Sequence, residues 1–495
     1  MADRLLPEGV SLSHPDRLFI GGAWVAPAAG GMIEIVSPNS EQVVARVAEA
    51  READMDAAAQ AARDAFDNGP WPMMAPAERA AKVQAMADWL KARHDQIAKA
   101  YTAQMGALAT MAPFMIQTGT GTLERYVGYV DKFAWAAKRH TDVPGKNAYV
   151  VHEPVGVVAA IAPWNVPYAI MTQKVAPALV AGCTVVMKPS PETPLEAYFI
   201  AEAAEAAGLP AGVLNLVPSH REAADHLVRS PLVDKISFTG STVAGRRIAS
   251  VAGERIARVT LELGGKSAAI VRDDMPTEAV AKILGRTITM LSGQVCAMLS
   301  RAIVPANRHD EIAEAIAAEM KSVRVGYSDD PASEMGPLAM QRQLERVEGY
   351  IAKGKEEGAT LVTGGGRPSH LNRGYFIEPT LFADVDNKST IAQEEIFGPV
   401  LSLIRAEDED HAIALANDSL YGLNSAVLTG DSQAAYRIGR RLRAGGFAQN
   451  GMSADFGLPF GGFKQSGIGR EGGIEGFEPY VESKAMLLDE AVELA

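Results

Sequence analysis

Between Pro154 and Glu262 the chain alternates short apolar runs with helix-like stretches, and this alternation constrains the fold more than any other feature. The clearest helix-like stretch is Pro194–Ala207, which begins directly after Thr193. Strands that alternate with helices predict a parallel sheet covered by helices on both faces. The apolar runs are rich in Val and Ile: Val155–Ile161, Thr184–Met187, Val213–Val217, Lys235–Phe238 and Val259–Leu261.

A second alternating region follows Glu262 and extends to about Asn450. Its predicted helices are Glu311–Ser322 and Gln341–Glu357. Upstream of both regions, Glu49–Lys99 has the helical spacing typical of long amphipathic helices. The sequence therefore predicts an α/β protein with two parallel-sheet units. The predicted strands of the second unit lie near Ala302–Val304, Val400–Leu403 and Ser425–Leu428.

Two further segments have the alternation of exposed strands. Lys138–Val151 reads as a strand pair, and the tail Glu482–Leu488 has a similar character. They form either a surface hairpin or an arm that pairs with another subunit, and composition does not choose between these two.

Size and charge narrow the function classes. A chain of 495 residues with 47% hydrophobic and 22% charged residues is expected to form two or three globular domains. The net charge of -13 argues against nucleic acid or an anionic membrane as a partner. Met1–Val10 lacks the features of a signal peptide, and apolar runs stop short of the ~20 residues that span a bilayer. A cytoplasmic location is therefore expected.

The two cysteines are too few for a disulfide framework. Cys296 follows the glycine-containing turn Gly293-Gln294-Val295, which can leave a thiol accessible and stabilise its thiolate with backbone N–H groups. The alternative is a small core residue, as most free cysteines are. Cys183, between Gly182 and the apolar run Thr184–Met187, is interpreted as packing.

Three polar residues stand where predicted strands end, at the edge where open α/β sheets bind ligands. Glu262 precedes Gly264-Gly265, and a buried carboxylate there has the raised pKa that suits a general base. Asn165 carries an uncharged N–H group that can stabilise an oxyanion. Lys188 can hydrogen-bond a ribose. The alternatives are a surface carboxylate for Glu262 and a solvated lysine.

Two glycine-containing turns are candidate phosphate sites. Phe238–Gly245 follows a predicted strand and opens a helix that Ser241 or Thr242 can cap, so its free N–H groups can hold a phosphate. Gly467–Gly472 matches G-x-G-x-x-G, but no clear strand precedes it and only 23 residues follow. A βαβ unit needs about 30 residues, so we reject this second match.

Seven motifs occur in an order that resembles the aldehyde dehydrogenase superfamily over nearly the whole chain. Glu262 and Cys296 are 34 residues apart, as in that family. The motifs are Ile161–Asn165, Met187–Ser190, Phe238–Thr242, Leu261–Lys266, Gly293–Cys296, Glu394–Pro399 and Pro459–Lys464.

The resemblance implies a hydrolytic, NAD(P)-dependent enzyme with three structural parts. A Rossmann-like cofactor domain takes residues 1–135 and 155–262, and an α/β catalytic domain takes residues 263–470. A small β arm, residues 136–154 and 478–495, makes a homodimer or homotetramer. No metal is expected.

The resemblance also implies roles. Cys296 attacks the aldehyde, and Asn165 with the Cys296 N–H group stabilises the oxyanion of the thiohemiacetal. Glu262 activates the water that releases the acid from the thioester, and Lys174 and Glu471 relay its proton. The implied cofactor contacts are Ile161, Ala162, Pro163, Trp164, Lys188, Ser190, Glu192, Phe238, Gly240, Ser241, Leu263, Gly264, Glu395 and Phe397.

Three positions depart from the family pattern. Pro191 replaces a glutamate that binds both adenosine ribose hydroxyls, although Glu192 is one place later. Arg221 is either solvated or placed to meet a 2′-phosphate. NAD stays the expected cofactor, and these two departures make NADP the alternative. Leu291 stands where an asparagine is usual and is expected to loosen the catalytic loop.

The predicted substrate funnel consists of Val166, Tyr168, Met115, Met290, Val295, Ala297 and Phe460. It is apolar and lacks a cation for a carboxylate, so we expect an aromatic or medium-chain apolar aldehyde.

Two other functions compete with hydrolytic oxidation. A CoA-acylating enzyme would lack the carboxylate at Glu262, and a non-catalytic structural protein would not need Cys296, Glu262 and Asn165 together.

Overall fold

The computed structural model describes residues 5–494; residues 1–4 of the predicted cofactor domain and residue 495 of the predicted arm lie outside this range. In chain order the strands are β1 Leu18–Ile20, β2 Ala23–Val25, β3 Gly31–Val36, β4 Val43–Glu49, β5 Ala136–Arg139, β6 Asn147–Pro154, β7 Val157–Ile161, β8 Thr184–Lys188, β9 Leu214–Leu216, β10 Lys235–Thr239, β11 Arg258–Glu262, β12 Ser267–Val271, β13 Leu299–Pro305, β14 Thr360–Thr363, β15 Thr380–Ala383, β16 Val400–Ala406, β17 Ser425–Leu428, β18 Ala448–Gln449, β19 Gly467–Ile468 and β20 Val481–Leu488.

The α-helices, in chain order, are α1 Glu52–Asp67, α2 Pro76–Lys91, α3 His94–Met105, α4 Ala112–Val127, α5 Pro167–Ala181, α6 Leu195–Ala206, α7 Arg221–Arg229, α8 Thr242–Glu254, α9 Thr277–Thr287, α10 His309–Ser322, α11 Gln341–Glu356, α12 Thr390–Gln393, α13 Glu409–Asn417 and α14 Ser432–Gly439. Short 3₁₀ turns occur at Trp71–Met73, Met290–Gly293, Ala306–Arg308, Lys464–Ser466 and Glu478–Tyr480.

The first sheet has the strand order β19-β11-β10-β7-β8-β9-β1-β2, and its five central strands are parallel. The central strands are buried on both faces, which explains their continuous apolar character. Along β7, Val158 and Ala160 pack in the core that includes α2, α5 and α6. The intervening Val157 and Ala159 pack in the core that includes α1, α7 and α8. The alternation of side chains along a strand thus divides one apolar run between two cores.

The chain order reverses between β7 and β10. From β7 the chain adds β8 and β9 on one side, and it then returns to place β10 and β11 on the other side. The segments that follow Ile161 and Thr239 therefore diverge to opposite faces and leave a crevice at the carboxyl edge. Open parallel sheets bind ligands at such a reversal.

The second sheet has the order β14-β15-β16-β13-β12-β17-β18 and is parallel except at its β14 edge. Helices α9 and α10 pack in the core on one face, and α11, α13 and α14 pack in the core on the other. Short loops from this unit, including residues 290–297 and 394–399, reach the crevice of the first sheet. The second unit therefore contributes to the same site.

A third sheet is small and has the order β20-β6-β5. β20 pairs with β6 over eight residues, from Val481 opposite Pro154 to Leu488 opposite Asn147. The prediction that the tail joins the Lys138–Val151 strand pair is confirmed. Most of β20 is exposed.

The predicted α/β fold with Rossmann-like parallel sheets and a small β arm is confirmed. The individually predicted strands and helices occur with boundaries that differ by at most three residues. The short edge strands β1, β2 and β19 were not predicted. Within residues 5–494, no helix combines the length and apolar composition needed to cross a membrane.

Candidate active site

A cleft of about 410 Å³ lies at the carboxyl edge of the first sheet, where β7 and β10 end. It brings together ten of the predicted site residues from five separate parts of the chain. The lining residues are Pro163, Trp164, Asn165, Thr239, Gly240, Ser241, Leu263, Gly264, Cys296, Arg342, Gln343, Arg346, Glu395 and Phe397.

Cys296 is presented by a tightly wound loop. Leu291, Ser292 and Gly293 have consecutive positive φ angles of 48°, 56° and 74°. This conformation disfavours residues with a Cβ, and leucine more than asparagine. The loop is nevertheless tied down, because Ser292 Oγ donates to the Gly336 carbonyl at 2.7 Å and Gln294 Nε2 to the Leu291 carbonyl at 2.9 Å.

Gly293 is required at its position for a second reason. A Cβ built on it would lie only 2.1 Å from the Gly398 carbonyl oxygen. The Cys296 loop and the segment that carries Phe397 therefore touch through backbone atoms. This close approach closes one wall of the cleft.

Asn165 is anchored by its backbone and by one half of its amide. Tyr101 OH donates to the Asn165 carbonyl at 2.7 Å, and Asn165 Nδ2 donates to the Gln294 carbonyl at 2.9 Å. A primary amide has two N–H donors. The bond to Gln294 uses one of these donors and fixes the plane of the amide. Sequence reasoning missed Gln294 because its neighbours gave no sign of this contact.

The pKa of the Cys296 thiol is raised to about 12, and burial is the largest cause. The nearby carboxylates of Glu395 and Glu262 also raise this pKa, whereas local backbone N–H groups lower it. The thiol is therefore protonated at neutral pH in this state. A nucleophilic thiolate at this position needs a base that can accept the proton.

Glu262 ends β11 as a carboxylate that is only 2% exposed. Neither of its carboxylate oxygens has a hydrogen-bond partner among residues 5–494. Burial raises the pKa of Glu262 well above its ordinary value; Glu471 raises it further, while Lys174 and Arg470 lower it. The prediction of a buried carboxylate at the end of this strand is therefore confirmed.

Lys174 and Glu471 form an ion pair behind Glu262. Lys174 Nζ lies 2.6 Å from Glu471 Oε1 and also donates to Thr239 Oγ1 at 2.7 Å. Glu471 is held in turn by reciprocal backbone hydrogen bonds with Phe460. The rejected glycine pattern Gly467–Gly472 is thus a loop that delivers Glu471 to this pair, and no α-helix follows it within residues 473–494.

The N-terminus of α8 faces the cleft. Ser241 caps this helix by accepting the Ala244 N–H at 3.3 Å, and the first turn of a helix leaves N–H groups free for an anion. Phe238 is buried beside Gly240, where a Cβ would lie 2.5 Å from the Phe238 ring. The predicted phosphate turn therefore lies in the cleft.

Glu395 and Phe397 form the opposite wall. Glu395 Oε1 accepts the Gly265 N–H at 3.1 Å, and a Cβ on Gly264 would lie 2.4 Å from Glu395 Oε2. Burial raises the pKa of Glu395 to about 7. Phe397 meets the Trp164 ring edge-on, with ring centres 5.2 Å apart.

The remaining predicted cofactor residues lie beside the cleft. Burial lowers the pKa of Lys188, at the end of β8, to about 8. Glu192 accepts Arg342 Nη2 at 2.6 Å and the Ser190 hydroxyl, and it lines a neighbouring cavity of about 480 Å³ that shares Arg342 with the cleft. Ile161 and Ala162 are buried below this edge.

The predicted substrate residues do not line the 410 Å³ cleft. Tyr168 is buried and its hydroxyl contacts Thr120 Oγ1 at 2.8 Å. Phe460 packs against Phe456. Met115 and Val166 share the packing of α4 and α5, while Met290, Val295 and Ala297 surround the Cys296 loop.

Cys183 is fully buried, and its thiol donates to the Tyr480 carbonyl at 3.3 Å. Burial raises its pKa to about 11. The interpretation of Cys183 as a packing residue is confirmed.

Known proteins share this whole architecture. The family model described as the aldehyde dehydrogenase family matches residues 24–486. Geranial dehydrogenase of Castellaniella defragrans is 43% identical over 97% of this chain and 100% of its own length. The Mycobacterium tuberculosis aldehyde dehydrogenase complexed with NAD+ is 46% identical and has a TM-score of 0.93, with 97% and 99% of the two chains covered.

A third relative binds an aldehyde in its crystal structure. It is a mutant of aldehyde dehydrogenase C from Pseudomonas syringae, in complex with NAD+ and octanal. It is 37% identical with a TM-score of 0.93, and 98% of this chain and 100% of that chain are covered. The chain therefore belongs to the aldehyde dehydrogenase family and is an NAD(P)-dependent enzyme that oxidises aldehydes.

Proposed function

We propose that this enzyme converts an aldehyde to a carboxylic acid by hydrolysis of a thioester on Cys296. The observation that carries the proposal is the arrangement of three groups. Cys296 and Asn165 line one cleft, and the buried carboxylate of Glu262 bears electrostatically on the Cys296 thiol. A nucleophile, an oxyanion donor and a base are the groups that two-step acyl transfer requires.

In the first step, the Cys296 thiol gives up its proton to water and its sulfur bonds to the aldehyde carbon. The carbonyl oxygen becomes an oxyanion, and the second Asn165 N–H with the Cys296 backbone N–H stabilises it. Donors that are already held in place cost no reorganisation as charge develops. The Asn165 bond to Gln294 is what holds this amide in place.

The cleft fits a nicotinamide dinucleotide. The α8 N-terminus would hold the pyrophosphate, Glu395 would bind a ribose, and Trp164 with Phe397 would enclose the nicotinamide. The glycine at position 264 supports this fit, because a Cβ there would fill the space beside Glu395. When bound, NAD accepts the hydride that leaves the tetrahedral carbon.

In the last step, water attacks the thioester and Glu262 takes a proton from it. The new C–O bond forms as the C–S bond breaks, so the acid leaves and Cys296 becomes a thiolate again. Lys174 and Glu471 then carry the proton away from Glu262. The presence of Glu262 favours this hydrolytic route over transfer to CoA.

We also propose that different parts of the chain have different functions. Residues 1–135 and 155–262 hold the cofactor, and residues 263–470 supply the nucleophile. Residues 136–154 and 478–495 assemble a homodimer or homotetramer through the exposed β20 edge, since such an edge has unpaired backbone groups.

The proposed substrate is an aromatic or medium-chain apolar aldehyde. The residues around the Cys296 loop are apolar or methionine, which suits a hydrocarbon chain. The names of two relatives support this class, since one is a geranial dehydrogenase and another was crystallised with octanal.

A panel of aldehydes tests both the reaction and the substrate class. Benzaldehyde and hexanal, assayed without CoA, are expected to show kcat/KM at least about tenfold above succinic semialdehyde. The measurement is the absorbance of the reduced cofactor, with NAD and with NADP. Preference for succinic semialdehyde would refute the substrate class, and a requirement for CoA would refute the hydrolytic route.

The choice between NAD and NADP is proposed to depend on Glu192. In Glu192→Gln, the carboxylate that would repel a 2′-phosphate is lost and Arg342 is freed to bind it. The ratio of kcat/KM for NADP to that for NAD is expected to rise about tenfold, or about 1.4 kcal/mol. Glu345→Gln, which lines the same neighbouring cavity, is the matched control. An unchanged ratio in Glu192→Gln would contradict this role.

A further inference from the structure

Polar side chains occupy one face of a buried strand beneath the site. Lys235, Ser237 and Thr239 alternate along β10 and share one face of it. All three are buried, although Ile236 and Phe238 between them are apolar. Buried polar groups are costly unless hydrogen bonds satisfy them, so this face of β10 needs partners.

Lys235 donates to Thr260 Oγ1 at 2.7 Å, whereas the hydrogen bonds of Ser237 and Thr239 lead to one carboxylate oxygen, Glu471 Oε1. Lys174 Nζ donates to it at 2.6 Å and Ser237 Oγ at 3.4 Å. Tyr480 OH donates to Ser237 Oγ at 3.1 Å. A hydroxyl has one proton and two lone pairs. The Tyr480 bond therefore occupies a lone pair of Ser237 and leaves the Ser237 proton for Glu471.

We propose that Ser237 and Tyr480 are positioning residues that hold the Glu471 carboxylate in place beside Glu262. This rests on the proposed function, in which Glu262 is the base. Neither Ser237 nor Tyr480 lines the cleft, so both act through Glu471. Donors aimed at Glu471 Oε1 fix the place of its carboxylate relative to Glu262.

The charge on Glu471 matters because it opposes a charge on Glu262. Burial is the largest cause of the raised pKa of Glu262, and the charge of Glu471 is the second. Lys174 and Arg470 act in the opposite direction, and the Cys296 thiol is the remaining titratable neighbour. Movement of the Glu471 carboxylate away from Glu262 must therefore lower the pKa of Glu262.

The groups around Glu471 give the hydrogen bonds a fixed direction. Burial raises the pKa of Tyr480 well above its ordinary value, so its hydroxyl keeps its proton and stays a donor. Burial also raises the pKa of Tyr126 on α4 and lowers that of Lys235 on β10 to about 8. Donation therefore runs from Tyr480 through Ser237 to Glu471.

The arm fixes the position of Tyr480. This residue directly precedes β20, and its carbonyl accepts the Val155 N–H at 3.0 Å and the Cys183 thiol at 3.3 Å. β20 is then paired with β6 along its whole length. The geometry that orders Glu471 thus includes the small β sheet as well as the cleft.

The pH profile of acyl-enzyme hydrolysis tests this proposal in Ser237→Ala and Tyr480→Phe. A base works when ionised, so the rate falls as the pH drops through the pKa of Glu262. We expect this acid limb to move to lower pH by about one unit in both variants. Ser237→Thr should restore it. Tyr198→Phe, which removes the hydroxyl of a buried tyrosine stacked on Trp24, should leave the limb in place.

The alternative outcomes are distinct. An acid limb at the wild-type pH in both variants, with only the melting temperature lowered, would show a structural role and overturn the proposal. The same profile measured for Glu262→Gln distinguishes a failure of the positioning role from a failure of the proposed function. If that variant keeps the wild-type acid limb, Glu262 is not the base, and the proposed function fails together with the positioning role.

Discussion

A Cys296→Ser variant is expected to lose at least about 10³-fold in kcat/KM for aldehyde oxidation. Serine keeps the size and the hydrogen-bonding geometry of the loop, but its hydroxyl is a far weaker nucleophile than a thiol. An alkoxide is also a poorer leaving group than a thiolate, so the release of the acid slows as well. The measurement is the initial rate of cofactor reduction over a range of aldehyde concentrations, which gives kcat/KM.

The second cysteine supplies a matched control for this prediction. Cys183 is buried in the core, and the Tyr480 carbonyl that accepts its thiol also accepts the Val155 N–H, so Cys183→Ala should keep its activity while its melting temperature falls. The melting temperature of Cys296→Ser and its affinity for NAD should stay close to wild type. Cofactor-linked oxidation at the wild-type rate in Cys296→Ser would contradict a covalent mechanism.

Much of the fold follows from local pattern. Central strands such as β7 are continuous apolar runs, and burial on both faces favours that composition. The strands β1, β2 and β19 are only two or three residues long. They exist because a neighbouring strand offers free backbone groups, which is information the local sequence does not contain.

The residues of the site likewise divide into those that local pattern predicts and those that only long-range contacts bring together. Cys296, Glu262 and Asn165 stand in local patterns of glycine turns and strand ends, and these patterns indicated them as candidates. The contact between Tyr480 and Ser237 joins residues 243 positions apart, and Gln294 meets Asn165 across 129 positions. Only the folded chain brings such pairs together. Lys235 and Ser237 did carry a signal, since polar residues in a buried strand need partners.

Substrate placement was the least accessible to sequence reasoning. Tyr168 follows Asn165 closely and is aromatic, which favoured a substrate role. In the structure its hydroxyl is satisfied by Thr120 and its ring lies against Gly119, where a Cβ would lie 2.4 Å away. Tyr168 lines a small separate pocket together with Met115 and Val166, and the substrate role of these residues stays a prediction.

The second large effect concerns Glu262→Gln. Glutamine matches glutamate in shape but cannot accept the proton of the attacking water, so the variant should form the thioester and then stall. We expect a burst of about one reduced cofactor per active site, followed by a steady-state rate about 10²–10⁴-fold below wild type. Rapid mixing with saturating aldehyde and NAD measures both phases.

The dependence on pH makes this prediction specific to the base. The pKa of Glu262 is raised, so wild-type hydrolysis should fall as the pH drops through it, and Glu262→Gln should lose this acid limb. Glu394→Gln, an exposed carboxylate that accepts the Tyr350 hydroxyl, should keep both the rate and the limb. Added hydroxylamine should release the trapped acyl group in Glu262→Gln without help from a base. If Glu262→Gln lacks the burst and keeps wild-type turnover, another residue must be the base. Glu471 would then be the first residue to substitute.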